Sequence, residues 1–198
     1  MNKGALFVMS GPSGTGKGTI CKVLEEAGEI FLSISSTTRE KRTGETDGVT
    51  YNYTTREAFR EMIDSGLMLE WATYDGNYYG TPKTTVEEML AEGKNVILEI
   101  DVQGGFKVKE LFPETVMIFV LPPSMEELKK RLVERGREGE TCIKNRMEAA
   151  RAELELAARY NYVIVNDSLS RCVEEVRDII KQTEEKRNHI KRLLDEIY

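Results

Sequence analysis

Five short apolar runs punctuate the chain, at residues 5–9, 30–34, 96–100, 116–121 and 162–165. They are brief and mostly do not alternate with polar residues, which predicts strands buried on both faces. Longer amphipathic stretches separate most of them: residues 16–27, 103–111 and 124–134 repeat their apolar positions at helical spacing. Strand followed by helix, repeated along the chain, predicts an α/β fold in which a parallel five-stranded sheet is flanked by helices.

Two stretches break this rhythm. Residues 35–82 are rich in Thr, Tyr, Gly and Arg and carry one helical piece at 56–65. They are too long for a plain connection and are read as an inserted subdomain. Residues 135–146 are dense in Arg, Glu and Gly with almost no apolar residues, which predicts a mobile flap. Beyond it, residues 146–158 and 169–197 have the pattern of long surface helices. The expected organisation is a single domain over 1–198, with a core of 1–34, 83–124 and 160–198, an insert of about 35–82 and a helical lid of about 125–159.

Composition excludes more than it assigns. With 198 residues, 40% hydrophobic and 31% charged, the chain is an ordinary globular one, able to bury a sizeable core. Lys3 precedes the run at 5–9, but that run is shorter than a signal-peptide core and far shorter than a membrane span, so no membrane association is expected. The formal net charge of −6 argues against a general nucleic-acid binder, which carries a basic face. Cys21, Cys142 and Cys172 lie far apart without a CxxC pair, and His189 is the single histidine, in a charged helical stretch. Neither a disulfide framework nor a zinc site is expected, no His-based general base, and the location expected is cytoplasmic.

The strongest local signal is Gly11-Pro12-Ser13-Gly14-Thr15-Gly16-Lys17-Gly18-Thr19, directly after the first expected strand and before the first expected helix. Glycines there let consecutive main-chain N–H groups turn inward on phosphate oxygens, and the helix N-terminus adds partial positive charge. Lys17 is then placed to reach the β- and γ-phosphates of a nucleoside triphosphate. One position departs from the usual P-loop: Gly18 stands where a Ser or Thr normally offers its hydroxyl to Mg2+, which leaves Thr19 as the candidate ligand.

An acceptor site is sought in the insert. Arg39 and Arg42, with the phenols of Tyr51 and Tyr79, suit a monoester phosphate, because Arg forks match phosphate oxygens and Tyr hydroxyls add donors. Glu70 and Asp101 accept hydrogen bonds only, and guanine presents an N1 hydrogen and a 2-amino group on one edge where adenine has no such pair. Singly, these residues have plainer readings: core aromatics for the tyrosines, surface charges for the arginines, a helix N-cap for Asp101 and a turn residue for Asn166. Together, in order behind a P-loop, they point to one site.

The segments Ser35-Ser36-Thr37-Thr38-Arg39 with Arg42, Gly44 and Gly48, then Tyr51-Asn52-Tyr53, Glu70-Trp71-Ala72 and Asn77-Tyr78-Tyr79-Gly80-Thr81, resemble the acceptor-binding part of the guanylate kinase family. Glu99-Ile100-Asp101-Val102-Gln103-Gly104, Leu121-Pro122-Pro123-Ser124, Arg135-Gly136, Arg146 and Val163-Ile164-Val165-Asn166-Asp167 extend the resemblance from about residue 6 to residue 167. It implies transfer of the γ-phosphoryl group of ATP to GMP, and to dGMP, with Mg2+, in purine nucleotide metabolism. It implies that ATP lies on residues 11–19 with Arg131 and Asn166, and that Ser35 and Thr81 meet the guanine edge. Arg39, Arg135 and Arg146 would serve beside Lys17 in catalysis, and Glu99 would stand near the metal, through water. The only partners it implies are the two nucleotides. Scaffold modules of the same fold, which grip phosphorylated partners, typically have a degraded P-loop and lid, whereas Lys17, Arg135 and Arg146 are present here. Glu70 with Asp101 opposes a kinase for AMP, a pyrimidine nucleotide or a sugar phosphate.

Overall fold

The computed structural model describes residues 3–74, 76–134 and 140–197. In chain order its elements are β1 (Leu6–Ser10), α1 (Lys17–Glu26), β2 (Phe31–Ser33), β3 (Ser36–Thr37), β4 (Asn52–Tyr53), α2 (Arg56–Asp64), β5 (Met68–Tyr74), β6 (Asn77–Pro82) and α3 (Lys83–Ala91). They continue with β7 (Val96–Glu99), α4 (Val102–Leu111), β8 (Val116–Leu121), α5 (Met125–Glu134), α6 (Glu140–Leu154), β9 (Tyr162–Val165) and α7 (Leu169–Ile197). A short 3-10 turn, Ala157–Arg159, joins α6 to β9.

β1 is buried at all five positions because it is paired on both edges and covered on both faces. It runs parallel to β7, with Leu6 opposite Val96, and parallel to β8, with Phe7 opposite Val116. The sheet order is β2-β7-β1-β8-β9, all parallel, which is the expected α/β architecture. Alternate side chains go to opposite faces. Phe7 and Met9 pack with Ile20 and Leu24 of α1 and Val176 of α7. Leu6 and Val8 pack with Val86 of α3, Val102 and Val108 of α4, and Phe119. The apolar runs at 116–121 and 162–165 are the strands themselves, and the other three differ from the observed strands by one residue or two.

The insert forms its own small sheet of order β4-β3-β6-β5, in which β5 and β6 make an antiparallel hairpin and β3 and β4 pair in parallel. Helix α2 begins at an N-cap, Thr55, whose hydroxyl accepts from the Ala58 N–H at 3.2 Å. It closes the insert with one fully buried ring, Phe59, stacked on Tyr78 with centroids 5.3 Å apart.

Two expectations need correction. Residues 140–146, read as part of a flap, form the first turns of α6: a segment poor in apolar residues is still helical here because Glu, Lys and Arg are good helix formers. The rest of that stretch, 135–139, lies outside the described residues. Helix α3 was not anticipated, because only Val86 and Leu90 of its nine residues are buried and its first turn carries two threonines. Among the described residues, no helix is long and apolar enough to cross a membrane.

Phe59→Ala removes the only buried side chain of α2, and is expected to cost about 3–5 kcal/mol, the range for large-to-small changes at aromatic core positions. Urea unfolding followed by circular dichroism measures it.

Candidate active site

The chain leaves β1 at Ser10 and turns through the P-loop into α1, so the loop stands on the most enclosed strand of the sheet. Gly16 has φ +91°, a conformation that L side chains rarely adopt, and a Cβ there would lie 2.3 Å from Asn166 Nδ2. That amide donates to the Thr15 carbonyl at 2.7 Å, so Asn166, just past β9, braces the loop from beneath. Arg131 of α5 joins the brace, donating to the Asn166 carbonyl at 3.1 Å and to Glu127 at 2.9 Å. Thr15 is buried and its hydroxyl donates to the Pro12 carbonyl at 3.0 Å. Lys17 Nζ bends back over the loop, donating to the carbonyls of Gly11 at 2.6 Å and Pro12 at 3.1 Å.

Strand β7 ends beside the loop and delivers two carboxylates. Glu99 approaches α1 where the chain has no side chain: a Cβ on Gly18 would lie 3.1 Å from Glu99 Oε2. The departure from the usual motif thus makes room for a carboxylate. Thr19 is exposed in the first turn of α1 and is not among the residues lining the cavity described below. Asp101 caps α4, its Oδ1 accepting from the Gly104 N–H at 2.7 Å, while the side chain also lines the cavity. Capping and exposure to a ligand are compatible here.

Opposite stands the insert. Glu70 of β5 is 7% exposed, and its Oε1 accepts from the Thr81 hydroxyl at 2.8 Å. Its Oε2 would lie 2.8 Å from a Cβ on Gly104, so glycine at the start of α4 lets this carboxylate approach Asp101. Burial pushes the Glu70 pKa up, the Thr81 hydrogen bond pulls it down and the neighbouring Asp101 charge adds to the rise. Tyr51 and Tyr79 meet edge to face, with centroids 5.9 Å apart.

A cavity of about 330 Å3 joins these groups. Gly11, Ser13 and Lys17 of the P-loop line it together with Ser35, Tyr51, Glu70 and Tyr79 and with Glu99 and Asp101. Helix α6 supplies one wall through Arg146, Ala149, Ala150 and Glu153, positions that share a helix face. Arg146 reaches the P-loop and donates to the Ser13 hydroxyl.

Other expected residues stand apart from this lining. Thr81 is buried behind Glu70, Asn166 and Arg131 hold the loop from outside, and Arg42 is exposed, with its main-chain N–H donated to Glu45 at 2.8 Å. Arg39 is held by Glu45 through two hydrogen bonds of 2.9 and 3.0 Å. Arg135 lies outside the described residues. Sequence reasoning missed Glu45 and Glu153. Glu45 falls in a glycine-bounded loop where a charge looks like solvated surface, though Arg39 six residues earlier was a usable signal. Glu153 shows only as the helical repeat of Arg146.

Fold and site together define a P-loop nucleotide-binding α/β protein whose phosphate loop opens onto a second polar pocket. The guanylate kinase of Oceanobacillus iheyensis is 52% identical over 95% of this chain and 92% of its own length. That of Clostridium perfringens is 53% identical over 90% of this chain and 83% of its own. The crystal structure of guanylate kinase from Anaplasma phagocytophilum superposes with a TM-score of 0.75 at 32% identity, covering 92% of this chain and 87% of that one. The guanylate kinase family model matches residues 3–183, and the chain belongs to this family.

Gly16→Ala forces a Cβ against Asn166 at positive φ, and is expected to lower the thermal midpoint and weaken nucleoside triphosphate binding by about tenfold or more. Asn166→Ala, which removes one buried hydrogen bond, is expected to act in the same direction at about 1–3 kcal/mol. Calorimetric melting and titration with a non-hydrolysable ATP analogue measure both.

Proposed function

We propose that this protein transfers the γ-phosphoryl group of ATP to GMP, giving ADP and GDP, and that it accepts dGMP more weakly. The observation that carries this reading is one cavity lined both by Lys17 and Ser13 of the P-loop and by Tyr51, Tyr79, Glu70 and Asp101. A donor site alone serves many P-loop proteins; a donor site open to a carboxylate-lined acceptor pocket serves a nucleotide kinase for guanine. Location in the cytoplasm and a place in purine nucleotide metabolism accord with these substrates and with the buried thiols of Cys21 and Cys172.

In this reading the P-loop amides cradle the donor phosphates, and Lys17 exchanges its contacts with Gly11 and Pro12 for the β- and γ-oxygens. Arg39, Arg42, Tyr51 and Tyr79 hold the GMP phosphate. Glu70 and Asp101 accept from the N1 hydrogen and the 2-amino group, with Ser35 beside them. Thr81 acts through Glu70: its hydroxyl occupies Oε1 and so fixes the carboxylate that faces the base. Adenine lacks that donor pair, so the carboxylate oxygens not already held by Thr81 and Gly104 would stay unpaired in the pocket, a penalty that can discriminate by about 10⁴. Arg146, already on Ser13, moves onto the transferring group, and Arg135 is assigned with it to the lid.

Mg2+, when bound with the nucleotide, would neutralise phosphate charge. The residues fit such an ion: it is held mainly by substrate phosphates and water with one or two carboxylates, and Glu99 lies within the cavity beside Gly18. We assign Thr19 and Glu99 to it, with water between. Water must be excluded from the γ-phosphate, so the insert and the helices at 125–159 are expected to close on the two nucleotides together.

ADP formation with Mg-ATP and a panel of GMP, dGMP, AMP, CMP and UMP tests the reading. GMP is expected to drive turnover, dGMP to follow, the others to be near background, and Lys17→Ala to be inactive. A panel in which no monophosphate accelerates ATP use contradicts it. The Glu70 pKa gives a second test. Because burial raises it and guanine needs the ionised form, KM for GMP is expected to rise as pH falls, beginning above the ordinary carboxylate range. Glu70→Gln is expected to flatten that dependence and to lose the preference for GMP over AMP.

A further inference from the structure

Arg39 does not wait as a loose cation for the phosphate. Its side chain is only 13% exposed and that of Glu45 17%. The end of its guanidinium is taken: Nη1 donates to Glu45 Oε2 at 3.0 Å and Nη2 to Glu45 Oε1 at 2.9 Å. Nη1 also donates to the Glu40 carbonyl at 2.7 Å. Its Cζ lies over the rings of Tyr51 and Tyr53, at 5.6 and 5.9 Å from their centroids. Glu45 is equally committed. Its Oε2 accepts from the Arg42 N–H and from the Tyr53 hydroxyl, each at 2.8 Å, in addition to Arg39.

The donor count of guanidinium decides what this arrangement leaves. Five N–H bonds form two usable forks, one across Nη1 and Nη2 and one along Nε and Nη2. Glu45 occupies the first and the Glu40 carbonyl takes the outer Nη1 hydrogen, so it is the second fork, with Tyr79 as a hydrogen-bonding neighbour of the group, that can turn to a ligand. Tyr79, which lines the cavity, lies against the same guanidinium. Two carboxylate-type acceptors can thus be served at once, one from the protein and one from the substrate.

We infer that Glu45 is the positioning residue of the acceptor-phosphate site, holding Arg39 by one fork so that its Nε–Nη2 edge meets the GMP phosphate. This rests on the assignment of Arg39 to that phosphate. Glu45 remains ionised through any assay range, since the Arg39 hydrogen bonds hold its pKa down to about 2. Through Oε2 it also fixes the main chain at Arg42 and the ring of Tyr53, so one carboxylate sets the shape of the loop from Arg39 to Tyr53. The opposite arrangement would make Glu45 a placeholder that the phosphate must displace, and its removal would then tighten GMP binding.

Steady-state kinetics on the whole enzyme separates the two. Wild-type turnover with GMP is measured first, and its absence would remove the kinase assignment itself, not the role of Glu45. Given turnover, Glu45→Gln is expected to raise KM for GMP by about tenfold or more while KM for ATP stays within about twofold. Tyr53→Phe, which removes one hydrogen bond to the same oxygen and leaves the charge, is expected to shift KM for GMP the same way by a few-fold. In an Arg39→Ala background Glu45→Gln is expected to add little, because both changes act on one contact. An unchanged or lowered KM for GMP in both single variants, or a full additional loss in the Arg39→Ala background, overturns the inference.

Discussion

The P-loop can hold a polyanion only if its main-chain N–H groups converge, and convergence is set by where β1 ends. β1 lies third of five strands, and all its neighbours run parallel to it. Parallel pairing puts every carboxyl end on the same edge of the sheet. Glu99 and Asp101 after β7 and Asn166 after β9 are therefore delivered to one loop by topology, although they come from residues far apart in sequence. The burial of Phe7, Val8 and Met9 on both faces is what keeps that edge in register.

The second half of the site is built on a different principle. Its small sheet has little core, and its polar groups are preset by partners instead. Thr81 holds Glu70, Gly104 admits it beside Asp101, and Glu45 holds Arg39. Each buried charge has a hydrogen-bonded neighbour, as the low dielectric of such a site requires. The cost is visible in the raised pKa of Glu70, where burial outweighs the hydrogen bond from Thr81. A ligand edge rich in donors would relieve that cost, which is the basis for proposing guanine over adenine here.

The central fold was legible because its signals are local. Buried parallel strands are continuous apolar runs, and the glycines between β1 and α1 name their own conformation. The insert's strands were not legible as strands, since β3 and β4 have two residues each and show no period. Helix α3 hid behind two threonines and two buried side chains. At the site, residue type gave the chemistry but not the partner. Thr81 and Asn166 were assigned to ligands, and the structure places their polar groups on Glu70 and on the Thr15 carbonyl. Glu45 was overlooked because a carboxylate in a loop is ordinary until an arginine is seen folded onto it.

Donor and acceptor share one cavity in the proposed reaction. Titration calorimetry with adenosine and guanosine joined through five phosphates tests this directly. One molecule is expected to bind per chain, more tightly than ATP or GMP alone and far more tightly than the diadenosine compound. Two molecules per chain, or an affinity no better than that of ATP, would contradict a shared cavity.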